Sequence, residues 1–156
     1  NQAVGCASNG TFQDPGHDAI GHWLPGQASA GGKWKVYIKE SQITAPPPSE
    51  LWVFIDEHPN SINDAGFAVQ MPLNPLSTFF VDVPAKYHNN ACALSFADGH
   101  SEIHKWTKPS VIPPITWAAD TAAFIGGQAN AVPGDPDVLW LAHRTSAPLS
   151  SATYYP

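Results

Sequence analysis

The sequence predicts a mainly β fold: an antiparallel sheet with an Asp-Gly hairpin, long Pro/Gly-rich loops and one short C-terminal helix. Three observations carry this expectation. The 16 Pro and 12 Gly spread through 156 residues leave little room for long helices. Glu50 to Asp56 (ELWVFID) is an apolar run too short for a helix and rich in β-branched and aromatic residues. Cys92 to Trp106 (CALSFADGHSEIHKW) holds two extended stretches around a tight-turn dipeptide. Six Trp and seven Phe supply apolar mass that disordered chains lack, so the chain folds. Its length suits a single domain, expected over residues 1–144 with an exposed tail over 145–156.

Taken in order, Asn1 to Gly32 shows no regular period and reads as loop that could lie against a neighbouring molecule; its opening, without an initiator Met, reads as an internal cut. Lys33 to Ile43 alternates Trp34, Val36 and Ile38 against Lys35, Tyr37 and Lys39, which predicts a half-buried strand, with a helical reading of Ile38 to Ile43 left open. Pro46-Pro47-Pro48 ends it, because proline donates no ladder hydrogen bond. The ELWVFID run lacks alternation and predicts a central strand covered on both faces, Trp52 toward one and Val53 toward the other. Leu94 and Phe96 should meet its core face. Asn60 to Gly66 is turn chemistry, and Phe67–Val69 and Phe79–Val83 are brief extended pieces.

Ala91 to Ala97 alternates around Cys92, Leu94 and Phe96, and Asp98-Gly99 supplies the left-handed positions of a hairpin turn. Near the end, Asp135-Pro136-Asp137 caps a short helix through Arg144, with Val138, Leu139 and Ala142 on one face and Trp140 or Leu141 flanking it.

Charge excludes some functions. Only 7 Lys and Arg stand against 13 Asp and Glu, for a formal net charge of -6, and the basic residues form no stripe. Nucleic acid and anionic membrane surfaces are therefore not expected partners. No apolar run reaches the roughly 18 residues needed to cross a bilayer. Cys6 and Cys92 match no paired-cysteine metal motif and read equally as a disulfide or as two buried thiols. Asn9-Gly10-Thr11 is a candidate glycosylation sequon.

His88, followed by nine residues and then Asp98-Gly99 within KYHNNACALSFADGHSEIHKW, resembles the prepilin-type processing-associated H-x9-D-G domain. PSELWVFIDEHPNSINDAGF upstream and DPDVLWLAHRTS near the end are similar to the same family, in the family's order. The resemblance implies the head of a pilin-like or pseudopilin-like protein of bacterial cell envelopes, which in full-length members follows a leader and a long apolar helix. It implies an extracellular or cell-surface location, periplasmic for a secretion pseudopilus, and copies of itself or other pilin-like subunits as partners. The residues from Asn1 to Gly32 and after Thr145 carry less of the likeness.

Asp56, Glu57, Asn63 and Asp64 offer oxygens on a turn after a strand, which is what Ca2+ needs, and some pilin-like heads hold calcium in loops. Asx residues equally hold turn backbone. His100 and His104 lie four apart on a strand, roughly 13 Å, too far to share a zinc ion without His88 or His58. His88 and Asp98 read as a structural pair that fixes the hairpin turn. Ser95, His100 and the aspartates are hydrolase ingredients without a nucleophile motif, so no enzyme is expected. Trp34, Trp52 and Trp106 read as core. Trp23, Trp117 and Trp140 are candidates for contact with a glycan or surface ligand, the alternative function.

Overall fold

The computed structural model of the chain describes residues 35, 37, 39–62, 67, 69, 76, 78–80, 82–117 and 133–148. A three-stranded antiparallel sheet, ordered β1-β2-β3, is formed by β1 (Trp52–Ile55), β2 (Ala91–Phe96) and β3 (Ser101–Lys105). One helix, α1 (Pro136–His143), follows. The fold is mainly β.

The Asp-Gly hairpin forms as its sequence dictates. Ser95 pairs with Ser101 and Cys92 with His104. Gly99 N–H closes the turn onto Phe96 O at 2.9 Å, with Gly99 at φ +92°. Asp98 is not among the left-handed residues, so glycine alone takes that strain.

β1 differs from expectation. It borders the described sheet, and β2 is the central strand. Its register shifts between Trp52, opposite Phe96, and Phe54, opposite Ser95, leaving Val53 as the extra residue of a bulge. Trp52 is fully buried and Ile55 packs against the core, whereas Phe54 is 60% exposed, so the strand's two faces are not both covered. The bulge is why an apolar run without alternation still has one outward side chain. Leu94 and Phe96 join Trp52 in one core as expected.

The Lys33 to Ile43 strand is also corrected where it can be seen. Glu40–Gln42 is a single 3-10 turn, closed by Gln42 N–H on Lys39 O and by Lys39 N–H on Gln42 Oε1, both at 2.9 Å. Trp34, Val36 and Ile38 lie outside the described residues. Phe67 and Val69 are buried but form no strand.

α1 starts where its cap predicts. Asp135 accepts from the N–H groups of Asp137 and Val138 at 2.9 and 3.2 Å, and Pro136 occupies the first turn, where its missing N–H costs nothing. The buried face is Val138, Leu141 and Ala142, at i, i+3 and i+4, with Leu139 only half-buried, which corrects the expected face. The expected tail is corrected at its first residues: Thr145 and Ser146 are buried.

Candidate functional site

β1 runs out at Asp56, and the residues that carry chemistry gather around that exit. The backbone of Asp56 bonds in two directions: its N–H donates to Ala93 O at 3.1 Å, and its carbonyl accepts from Ala85 N–H at 2.8 Å. The chain thereby leaves β2 and runs beside residues 83–85, with His58 N–H on Val83 O at 2.8 Å and a bridge between Glu57 and Pro84. Ala93 N–H would lose its ladder partner at this switch. Asp56 Oδ2 replaces it, accepting at 3.0 Å, and lies 3.2 Å from His88 Nε2.

His88 is held there by a turn that the sequence reading missed. Asn89 and Asn90 take left-handed φ values of 57° and 64°, and His88 N–H reaches Ala91 O at 3.2 Å. Asn enters the left-handed region more readily than other residues with a side chain, and Asn90 N–H also reaches back to Lys86 O at 3.0 Å. The Asn89-Asn90 dipeptide was the available signal.

Asp98 belongs to a separate pair. Its Oδ1 lies 2.6 Å from His100 Nδ1 and accepts His100 N–H at 3.1 Å, while the His100 ring stacks on Phe96 with centroids 4.4 Å apart. The side-chain and then the backbone hydrogen bond from His100 hold the Asp98 carboxyl below its ordinary range. The expected His88–Asp98 pair is therefore corrected to His88–Asp56 and His100–Asp98. The physical reason is extension: the six residues of β2 alone separate the two positions by roughly 20 Å.

His58 is wholly buried and neutral. Its Nε2 donates to Pro113 O at 3.1 Å, and its Nδ1 accepts from Asn60 N–H at 3.2 Å, leaving no ring lone pair for a zinc ion. Burial lowers its pKa. Asn60 clasps Thr116 twice, its Nδ2 donating to Thr116 Oγ1 at 3.0 Å and its Oδ1 accepting Thr116 N–H at 2.9 Å. The Lys86 ammonium donates to the carbonyls of Pro109 and Ile112. Together these groups bind the loop over residues 109–116 to the segments around His58 and Lys86.

On the inner face of β3, His104 stacks on Trp140 at 3.6 Å and meets Trp106 edge-on at 4.8 Å. The Arg144 guanidinium sits 4.2 Å from the Trp140 ring centroid. Burial lowers the His104 pKa against the opposing pull of Asp137 and Glu102. Trp140, expected as a contact for a partner, is thus half-buried between protein groups. Only the i, i+4 spacing of Trp140 and Arg144 hinted at this cluster. Trp52 and Trp106 are core residues as expected.

Of the calcium candidates, Asn63 and Asp64 lie outside the described residues, and Asp56 is engaged as above. Among the described residues no group of three or more His, Cys, Asp or Glu could hold a metal ion. Cys92 is buried opposite His104, and burial, followed by the Asp56 and Glu102 carboxylates, pushes its thiol well above the ordinary range. Its candidate partner Cys6, the sequon at Asn9 and the loop Trp23 fall outside the described residues. Trp117 is 78% exposed. Among the described residues, the side-chain hydrogen bonds of His88 and His100 go to carboxylates, not to Ser95.

Comparison of the chain with protein-family models, with curated proteins and with solved structures gives no match.

Proposed function

We propose that this chain is the head of a pilin-like or pseudopilin-like subunit, a non-enzymatic structural protein that self-associates in an extracellular filament or, as a pseudopilus, in the periplasm. The observation that carries the reading is the convergence of the three segments on which the resemblance rests. Trp52 Nε1 donates to Thr145 Oγ1 at 2.8 Å, joining the first segment to the third. Ala97 N–H donates to Leu51 O at 2.9 Å, joining the hairpin to the first. The His104 ring stacks on Trp140 with centroids 3.6 Å apart, joining the hairpin to the third, and just past the hairpin the Thr107 and Lys108 N–H groups both donate to the Asp137 carboxylate, at 2.9 and 2.8 Å. Residues far apart in the sequence thus serve one folded unit.

The polar groups also suit a structural protein. The carboxylates of Asp56, Asp135 and Asp137 and the amide of Asn60 all accept backbone N–H groups. They hold loops in place. Sedimentation velocity on the full chain, together with electron microscopy of native material, tests the reading: self-association is expected, and a strictly monomeric species under all conditions counts against it.

A second reading, an extracellular module for a carbohydrate or surface ligand with a calcium-organised loop, is favoured by Trp117. The residue is 78% exposed and its backbone sits at φ +56°, a conformation that bulky residues rarely adopt. On this reading Trp117→Ala abolishes glycan binding without lowering the melting temperature, and EDTA lowers that temperature. An unchanged melting curve in EDTA, with metal-free protein confirmed by elemental analysis, leaves Asp56 and Glu57 with structural roles alone.

A further inference from the structure

We infer that β3 is a docking edge for β3 of a second copy of this chain, the two strands running antiparallel about Ile103. The inference rests on the self-association reading and names the interface. β3 pairs with β2 alone in the described sheet. Phe96 N–H donates to His100 O and Trp106 N–H to Asn90 O, both at 2.9 Å. Between these two fixed points the antiparallel alternation turns the backbone groups of Glu102 and His104 toward β2 and those of Ser101, Ile103 and Lys105 outward. Among the described residues none of these outward groups has a hydrogen-bond partner. Ser101, Glu102 and Lys105 are exposed, and Ile103 is 66% exposed. β1 differs, because Trp52 N–H is taken by Arg144 O at 3.2 Å.

Outward N–H and C=O groups at two-residue spacing are matched by another extended backbone. The side chains indicate which one. In a two-fold antiparallel pairing opposite residues share a face, so the register moves in whole-residue steps of its centre. Centring on Glu102 opposes two carboxylates, and centring on His104 sets Ile103 against a lysine. Centring on Ile103 places Ile103 against its own copy, Glu102 against His104 of the second copy and Ser101 against Lys105 of the second copy, with no like charges opposed. This register also lets the outward groups of Ser101, Ile103 and Lys105 exchange hydrogen bonds. Five residues bury little area, so the pairing belongs to the weak, concentration-dependent class of interfaces.

The test is sedimentation equilibrium of the full chain at concentrations up to about 1 mM, alongside Ile103→Pro. That N–H points away from β2, so proline is compatible with the folded edge, and near-UV circular dichroism checks folding. Association weakened by about tenfold or more is expected. In a Cys6→Ser background, Ile103→Cys should oxidise to a symmetric disulfide between copies, since directly opposed Cα atoms lie about 5.5 Å apart. This cross-link decides the matter if the proline variant does not fold. Oligomers that persist with folded Ile103→Pro, or a Ile103→Cys thiol that bridges elsewhere or to another protein, overturn β3 pairing and leave self-association standing. A chain monomeric at every concentration overturns both.

Discussion

Trp52 and Thr145 are joined across most of the chain by a buried hydrogen bond, indole Nε1 to hydroxyl Oγ1 at 2.8 Å. The same hydroxyl donates to Leu141 O at 2.8 Å, so one side chain ends α1 and seats a fully buried core tryptophan. Thr145→Val keeps the volume and strands the indole N–H, and should cost about 1–3 kcal/mol. Trp52→Ala should cost about 3–5 kcal/mol through the cavity it leaves. Urea denaturation measures both; a neutral Thr145→Val would mean that the indole finds another acceptor.

Asp56 completes the sheet, and His88 is a surface addition to it. Asp56→Ala strands Ala93 N–H and should cost about 1–3 kcal/mol, with faster amide exchange at Ala93. Asp56→Asn keeps an acceptor and should cost less. His88→Ala should stay within about 1 kcal/mol, because the pair is partly exposed to solvent, which screens it. Equal costs for the His88 and Asp56 alanine variants would contradict this division of labour.

At Gly99 the φ of +92° strains any residue with a side chain, yet an added Cβ would meet nothing within 4 Å. Gly99→Val should therefore destabilise by roughly 1–3 kcal/mol through the backbone alone. Gly99→Asn should cost less, since Asn enters the left-handed region more readily. Chemical denaturation of the two variants compares them, and equal losses would point to packing instead of strain.

Burial lowers the pKa values of His58 and His104 from 6.5. The unfolded chain then binds protons that the folded chain refuses, so the stability from these neutral rings is present above about pH 6.5 and falls as pH drops below it. Melting temperature should decline from pH 7.5 to pH 5.5, a window above most carboxylate titration. His104→Phe keeps an aromatic ring against Trp140 and should flatten part of that slope. An unaltered slope would assign the acid sensitivity elsewhere.

Much of the fold was legible locally. The hairpin follows from alternation around Asp98-Gly99, and α1 from the Asp-Pro-Asp cap. The border position of β1 was not legible, because Leu51 to Ile55 is apolar throughout and a bulge at Val53 follows from its pairing with β2. The partner of His88 was hidden for a related reason: its spacing to Asp98 spans an extended strand, whereas Asp56 arrives from another strand of the sheet. The His104, Trp106, Trp140 cluster joins β3 to α1 through tertiary packing that no local spacing reports.

Self-association of the head is tested most directly by electron microscopy of native material decorated with an antibody raised against this chain. Label repeating along filaments, or along a periplasmic assembly, is the expected result. Label confined to dispersed single particles, with sedimentation giving only the monomer, would contradict it.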